Sequence, residues 1–474
     1  MHTTHHMHTT HRARRRLPGL LLAFGFLLPL AAPASDSTPD TLDLDRRLKV
    51  VERTLEIQRE DDAAKARSAS QVSASEKGLS IKAANGAYAL DIGALAQIDA
   101  RFYIDQAGVS DAFLLRRLRP VILKGSFGDW VAFNFSPEFA TGSGVSGDGS
   151  TASIADAYLD LKFSPAATLR AGRQKTPVGL EQLQSDALIG FTERGYTSEL
   201  VPNRDLGAVL QGVVLKQTLS YALGLFGGAP DGRDLNRINA DNRFEIAARL
   251  FAEPFKNDYG LWRGLGYGLG GSYENALTAS PSNVNDALPR YRSPGQQIFF
   301  QYVNGGAPNN TVLADGRHWR LAPQLYYYNG PFGLLGEYAV SRQKVVLNGT
   351  HAEFGHQAWL VRASYVLTGE DVSYAAPIKP RRPFSLGGEG WGAFSVDARL
   401  EAFAADPKAF DLNFADLGKS AKNARSAGVA LNWYLTSNLK LAADYELTRF
   451  DGGAAAGKDR PNEQAVFSRL QLAF

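Results

Sequence analysis

The stretch LDIGALAQIDARFYI, residues 90–104, decides the fold. Leu90, Ile92, Ala94, Ala96, Ile98, Ala100, Phe102 and Ile104 fall on one side of a period of two, and Asp91, Gly93, Leu95, Gln97, Asp99, Arg101 and Tyr103 on the other. A helix with one apolar stripe repeats every ~3.6 residues, so this run reads as a strand, far longer than the usual ~5–6 residues. The same alternation returns at 157–163, 429–434 and 439–448. It closes the chain, where Val466, Ser468, Leu470, Leu472 and Phe474 alternate with Phe467, Arg469, Gln471 and Ala473. Long strands with one apolar face, in a chain without Cys, point to an all-β transmembrane barrel.

Outward from that stretch, strands are expected near 88–104, 114–124, 130–139, 153–163, 167–175, 207–216, 220–228, 242–253, 265–275, 317–328, 333–345, 356–368, 392–404, 425–435, 439–449 and 463–474. Sixteen is an even number, as an antiparallel barrel needs. Tight connections alternate with longer ones such as 176–206 and 276–316; only 369–391 is long on the short side. Phe474, a terminal aromatic on an amphipathic strand, resembles the signal read by the outer-membrane assembly machinery.

Residues 1–34 read as a signal peptide: Arg12, Arg14, Arg15 and Arg16, an apolar run at 17–30, then Ala32-Pro33-Ala34. MHTTH at Met1 recurs at Met7, so either methionine can start the chain. Without the four leader arginines, 47 basic residues face 48 acidic ones, a net charge of −1, and a nucleic-acid partner loses its electrostatic support. Beyond the leader no run of about 18 apolar residues exists, which excludes helical spans. Residues 36–65 read as a short periplasmic helix with a coiled-coil-like seam at Leu44, Leu48, Val51 and Leu55. A linker is expected over 66–78 and the barrel over 79–474. Neither cofactor nor metal is expected: five of eight histidines lie in the leader.

Sixteen strands leave a lumen whose side chains set selectivity. The densest basic cluster is Arg116, Arg117 and Arg119, with Arg117 and Arg119 expected inward and Arg116 at the rim. Arg290 and Arg292 form a second cluster in the long loop, and Arg170, Arg173, Lys175, Arg342, Lys344 and Arg362 are further pore-lining candidates. Guanidinium keeps its charge at any relevant pH, is weakly hydrated and grips oxyanions with two prongs, so a file of arginines suits anion passage. Each arginine taken singly reads equally well as half of a wall-stiffening ion pair.

Several motifs occur together in one order: Leu115-Arg116-Arg117, Gly128-Asp129-Trp130, Phe133-Asn134-Phe135, Ala171-Gly172-Arg173, Gly179-Leu180-Glu181, Glu193-Arg194, Leu367-Thr368-Gly369-Glu370 and Asn432-Trp433-Tyr434. The ordered set resembles the phosphate-selective porins of the O/P type. That resemblance implies an outer-membrane homotrimer of sixteen-stranded barrels in a Gram-negative bacterium. It also implies a constriction for phosphate or polyphosphate at Arg116 and Arg117, with Arg290 and Arg292 in an arginine ladder above; chloride is a further expected anion. The sequence departs from the family at Asp91 and Leu95, where basic residues are usual, at Gln182 in place of a lysine, at Ala155 in place of an acid, and at Pro294 and 296–298 in the ladder loop. A less selective or carboxylate/sugar-type porin is the alternative, since Asp99, Asp156 and Asp160 also face the lumen. An outer-membrane enzyme is a remote one: His318, His351 and His356 have no Ser motif beside them.

Overall fold

A computed structural model describes residues 41–106, 108–140, 152–235, 243–278 and 287–474, without the side chains of 41–42 and 63–68. The leader with its histidines and the first five residues of the expected helix, 36–40, lie outside the described residues. The chain divides into two units at 67/68. In the first, helix α1 (Thr41–Ser68) exposes Leu44, Leu48, Val51 and Leu55, and carries the surface pairs Lys49–Asp45 (2.8 Å) and Arg53–Glu56 (3.0 Å).

The second unit is built from strands. They are β1 (Gln71–Ser75), β2 (Gly78–Lys82), β3 (Tyr88–Tyr103), β4 (Ala112–Phe127), β5 (Val131–Glu138), β6 (Ser153–Ser164), β7 (Ala167–Lys175), β8 (Arg204–Val214), β9 (Leu219–Phe226) and β10 (Glu245–Ala252). After β11 (Leu265–Leu277) come the loop strands β12 (Arg290–Arg292) and β13 (Ile298–Gln301). The wall resumes with β14 (Leu313–Asn329), β15 (Phe332–Leu347), β16 (Thr350–Val366), β17 (Ala393–Ala404), β18 (Ala421–Tyr434), β19 (Leu439–Gly452) and β20 (Glu463–Ala473). Short helices α2 (Leu180–Leu183), α3 (Tyr196–Glu199) and α4 (Lys408–Asp411) lie in loops.

The sixteen wall strands close a barrel of antiparallel neighbours, with β20 pairing β3 from Ala465↔Tyr103 to Ala473↔Leu95. Phe474 seals the seam through both backbone bonds to Ala94 (3.0 Å each). Gly93 permits this, because a Cβ there would stand 2.4 Å from the Phe474 carbonyl oxygen. Part of the expected linker is instead β1, which pairs with β2, and β2 extends the edge of β3 below the C-terminus. Between β15 and β16, Asn348 and Gly349 both adopt positive φ in a two-residue hairpin. The connection is therefore tighter than the sequence reading made it: an Asn-Gly pair matches the twist of the flanking strands.

The lumen is not simply water-filled. Residues 176–203 fold inward with α2 and α3, and the β12–β13 hairpin packs aromatic rings against inward-facing wall residues. Phe299 lies 5.0 Å from Phe403, 5.8 Å from Phe450 and 5.6 Å from Tyr196, ring centre to ring centre. Burying each such ring contributes roughly 1.5–3 kcal/mol, so three or four of them hold the hairpin inside. His318 and His356 are buried in this interior: His356 meets Phe300 edge-on, ring centres 4.8 Å apart, and bonds the Tyr302 hydroxyl at 2.8 Å.

Candidate pore constriction

The first wall pair builds the site. Along β3, Leu95, Gln97, Asp99 and Arg101 point inward and are buried. Opposite them, Gln97 pairs with Arg117 but Ile98 pairs with Leu115, so β4 carries one extra residue, Arg116. This bulge turns Arg116 inward beside Arg117, correcting the rim position expected from strict alternation. A second bulge lies between Gly93↔Ile122 and Leu95↔Arg119. There Pro120 and Val121 both face outward, at a site where a missing N–H breaks no ladder bond.

The inward loop supplies the counter-charges. Glu193 accepts two hydrogen bonds from Arg116, at Nε (2.5 Å) and Nη2 (3.0 Å), and one from Arg101 (2.6 Å), while Arg469 of the final strand lies 3.8 Å away. Arg469 also grips Asp99 with two prongs (2.6 and 2.8 Å). Asp186 stands among five cations: Arg194 at 2.8 Å, Arg119 at 2.9 Å, Arg117 at 3.3 Å, Arg204 at 3.5 Å and Lys175 at 3.9 Å. Burial alone would raise the Asp186 carboxyl, but these cations, Arg117 foremost, hold it well below the usual carboxylate range. Glu193 is lowered likewise: burial opposes, and Arg116 then Arg101 prevail.

Among the described residues, Arg101, Arg116, Arg117, Arg119, Lys175, Arg194, Arg204 and Arg469 share Asp99, Glu138, Asp156, Asp186 and Glu193 in ion pairs. Eight cations against five carboxylates leave three positive charges in excess. Arg116 keeps 19% of its side chain exposed, Arg170 25% and Arg173 18%, so water reaches this side of the lumen.

The opposite wall carries carboxylates, and they hold the loop. Glu337 accepts the backbone N–H groups of Leu180 (2.5 Å) and Glu181 (3.1 Å), and Glu401 that of Tyr196 (2.8 Å). Glycines let the loop approach: a Cβ at Gly190 would lie 2.2 Å from Asp397 Oδ1, and one at Gly195 2.0 Å from Glu401 Oε2. Arg362 is inward but buried under this loop, 3.8 Å from Glu181, with Nη2 donating to Gln184.

Other expected site residues lie elsewhere. Arg170 pairs with Asp160 (2.7 Å) over the Tyr158 ring, and Arg173 donates to Asp234 (3.2 Å) and the Leu235 carbonyl. Arg290 and Arg292 flank the buried Tyr291 on β12, near Arg233; there the Arg292 N–H donates to Glu199 (3.0 Å). Burial, then Arg290 and Arg292, push Arg233 down to about 10. No ion pair between described residues joins this cluster to the Asp186 ring. Arg342 and Lys344 are not pore-lining: they face outward, alternating with inward Ser341, Gln343 and Val345, and Arg342 sits 3.6 Å from Glu353. Arg101, Arg194, Arg204 and Arg469 were missed as site residues, although alternation alone puts Arg101 and Arg469 on the polar face.

One constellation has the hydrogen-bond order of a nucleophile, base and orienter: Ser341 Oγ to His318 Nε2 (2.9 Å), and His318 Nδ1 to Glu274 (3.0 Å). All three are buried, and Arg320 and Asp231 fill the remaining space, Arg320 Nε donating to Asp231 at 2.5 Å. The network latches the 227–235 loop to the wall, with Arg320 Nη2 donating to the Ala229 carbonyl at 2.8 Å.

The sequence model of the family described as phosphate-selective porin O and P matches residues 91–474. The chain belongs to that family. It is an outer-membrane porin, and solved structures share its fold. The outer membrane channel DcaP of Acinetobacter baumannii is 11% identical, with a TM-score of 0.53 over 82% of this chain and 97% of that one. The trimer form of OmpT, an outer membrane protein of Vibrio cholerae, is 10% identical, with a TM-score of 0.50 over 82% and 100%. Comparison with curated proteins gave no match. In this porin, then, the inward loop and the bulged β4 meet across the basic side of the lumen.

Proposed function

We propose that this porin is an anion-selective channel of the outer membrane of a Gram-negative bacterium, passing phosphate or polyphosphate, and chloride less favourably, by passive diffusion. Arg116, Arg117 and Arg119 form its constriction, with Arg290 and Arg292 above them. The observation that carries this reading is the excess of eight cations over five carboxylates on one side of the lumen. At ~6 Å in a water-like dielectric each excess charge contributes ~0.7 kcal/mol, so three contribute ~2 kcal/mol, and ~1.4 kcal/mol is a tenfold preference. Export by the leader, assembly as a homotrimer and reading of Phe474 by the assembly machinery belong to the same proposal.

A carboxylate- or sugar-type porin is the competing reading, favoured by inward Asp397, Glu401, Asp444 and Glu446 on β17 and β19. Against it, Glu401 binds the loop backbone, Asp444 the Thr192 hydroxyl, and Glu446 the Arg399 guanidinium (2.5 Å), so these acids are engaged in anchoring. The test is the zero-current potential across a planar bilayer in a KCl gradient, with phosphate then added. An anion preference with phosphate block supports the proposal, and its loss in Arg116→Ala/Arg117→Ala supports the assigned constriction. Cation preference, or graded block by carboxylates but not by phosphate, overturns it.

A further inference from the structure

We infer that Asp186 is a tethered competitor ion: its carboxylate occupies the place a permeating oxyanion takes among Arg117, Arg119, Lys175, Arg194 and Arg204, and so admits multivalent oxyanions in preference to monovalent ones. This rests on the anion-channel reading above and deepens it.

Three features of the geometry support the assignment. The five cations do not depend on Asp186 for their positions. Arg119 Nε donates to Glu138 (2.8 Å), Arg204 Nε to Asp156 (3.0 Å) and Arg117 Nη1 to Gln97 (2.7 Å). Lys175 donates to the Gln182 and Gln184 carbonyls (2.7 and 2.8 Å), and Arg194 to those of Glu181 and Gln184 (3.1 and 2.8 Å). The ring therefore stands preformed if the carboxylate turns away.

The backbone of the Asp186 turn is likewise held without its side chain. The Asp186 carbonyl accepts from Gln97 Nε2 (3.0 Å), the Ala187 carbonyl from Gln471 (3.0 Å) and the Ile189 carbonyl from Lys440 (3.1 Å). Release needs only side-chain rotation, not movement of the loop.

The hold on the carboxylate is ionic more than directional. Asp186 Oδ2 accepts from Arg119 and Arg204, but Oδ1 is buried without a hydrogen bond, although Arg194 lies 2.8 Å and Lys175 3.9 Å away. One carboxylate thus answers five cations, three of whose remaining partners are neutral. A monoanion would exchange like for like and gain nothing; an oxyanion with two charges and three or four oxygens satisfies more of the ring. Lys175 and Arg194, 14% and 11% exposed, border the water through which it would enter.

The test uses the full-length porin in planar bilayers at mildly alkaline pH, with inorganic phosphate as the probe. In Asp186→Asn the phosphate concentration that halves the chloride current should fall about tenfold or more, and chloride current should saturate at lower chloride. Glu138→Gln, which removes one carboxylate from the same ring but from the wall, should shift the half-block much less. Unchanged or weaker block in Asp186→Asn, or an equal shift in both variants, overturns the inference while leaving the anion channel intact. Should Asp186→Asn fail to assemble, Asp186→Ser is read by the same criteria. A wild type without anion preference or phosphate block fails the channel reading itself, and this inference with it.

Discussion

Arg116 clasps Glu193 through two parallel hydrogen bonds, Nε to Oε1 at 2.5 Å and Nη2 to Oε2 at 3.0 Å, joining the bulge of β4 to the inward loop. The pair exists because one unpaired residue rotates the strand locally, so that two consecutive arginines share the lumen side. It stays partly wet, with 19% of Arg116 exposed. Charge-assisted pairs of this geometry are directional as well as strong, and this one fixes both partners.

Deleting Arg116 should restore unbroken alternation, with Leu115 opposite Ile98 and Arg117 opposite Gln97 as they already stand. The barrel is expected to assemble and keep its heat-dependent mobility on gels. The anion/cation permeability ratio is expected to fall about threefold, the equivalent of one unit charge at ~6 Å in water. An unaltered ratio would show that Arg116 plays no part in selectivity.

Gly195→Ala drives a methyl group into Glu401 Oε2 (2.0 Å) and Leu360 Cδ1 (2.4 Å). Such overpacking costs about 1–3 kcal/mol, and the loop should lift from the β17 wall. Larger and noisier single-channel currents are expected, with the barrel itself intact. Quiet, wild-type openings would mean that the loop has another anchor sufficient to hold it.

Arg342→Ala with Lys344→Ala should leave selectivity at the wild-type value, because both side chains face away from the lumen. Reversal potentials measured beside those of the Arg116 and Arg117 variants check this. A matching drop in anion preference would contradict their outward placement.

Glu199 links the two inward segments by accepting the Arg292 N–H at 3.0 Å. Burial raises its carboxyl to about 7, with Arg292 opposing. The folded form therefore keeps a proton that the unfolded chain releases near ~4.3. The stabilisation is complete below that pH and is lost as pH rises through about 7. Channel noise is expected to grow over that window, and Glu199→Gln should flatten the dependence. Growth on acidification instead would reverse the assigned sign.

The strands were legible in the sequence because side-chain alternation is imposed locally, by the pleat of the backbone, and needs no knowledge of neighbours. Leu90 to Phe102 on one face and Gln97, Asp99 and Arg101 on the other stand in the barrel as the sequence orders them. So do the seam at Phe474 and the inward Arg117 and Arg119. Arg116 was misplaced because a bulge arises from the register between two strands, and a single strand's sequence does not encode its partner's count of residues. Arg342 and Lys344 have no such excuse in the register: β15 runs unbroken from Phe332 to Leu347, so its own alternation already sets both outward with Tyr338 and Val340.

What only the tertiary structure decided is the use of the charges. Asp186 and Glu193 come from a loop whose inward fold rests on contacts far apart in the chain: Glu337 with Leu180, Glu401 with Tyr196, Tyr196 with Phe403. Sequence alone determined that this chain makes a lipid-facing β-cylinder with arginines on its inner face. Whether those arginines face water or carboxylates depended on where the loop lies, since ion pairing acts through space and not along the chain.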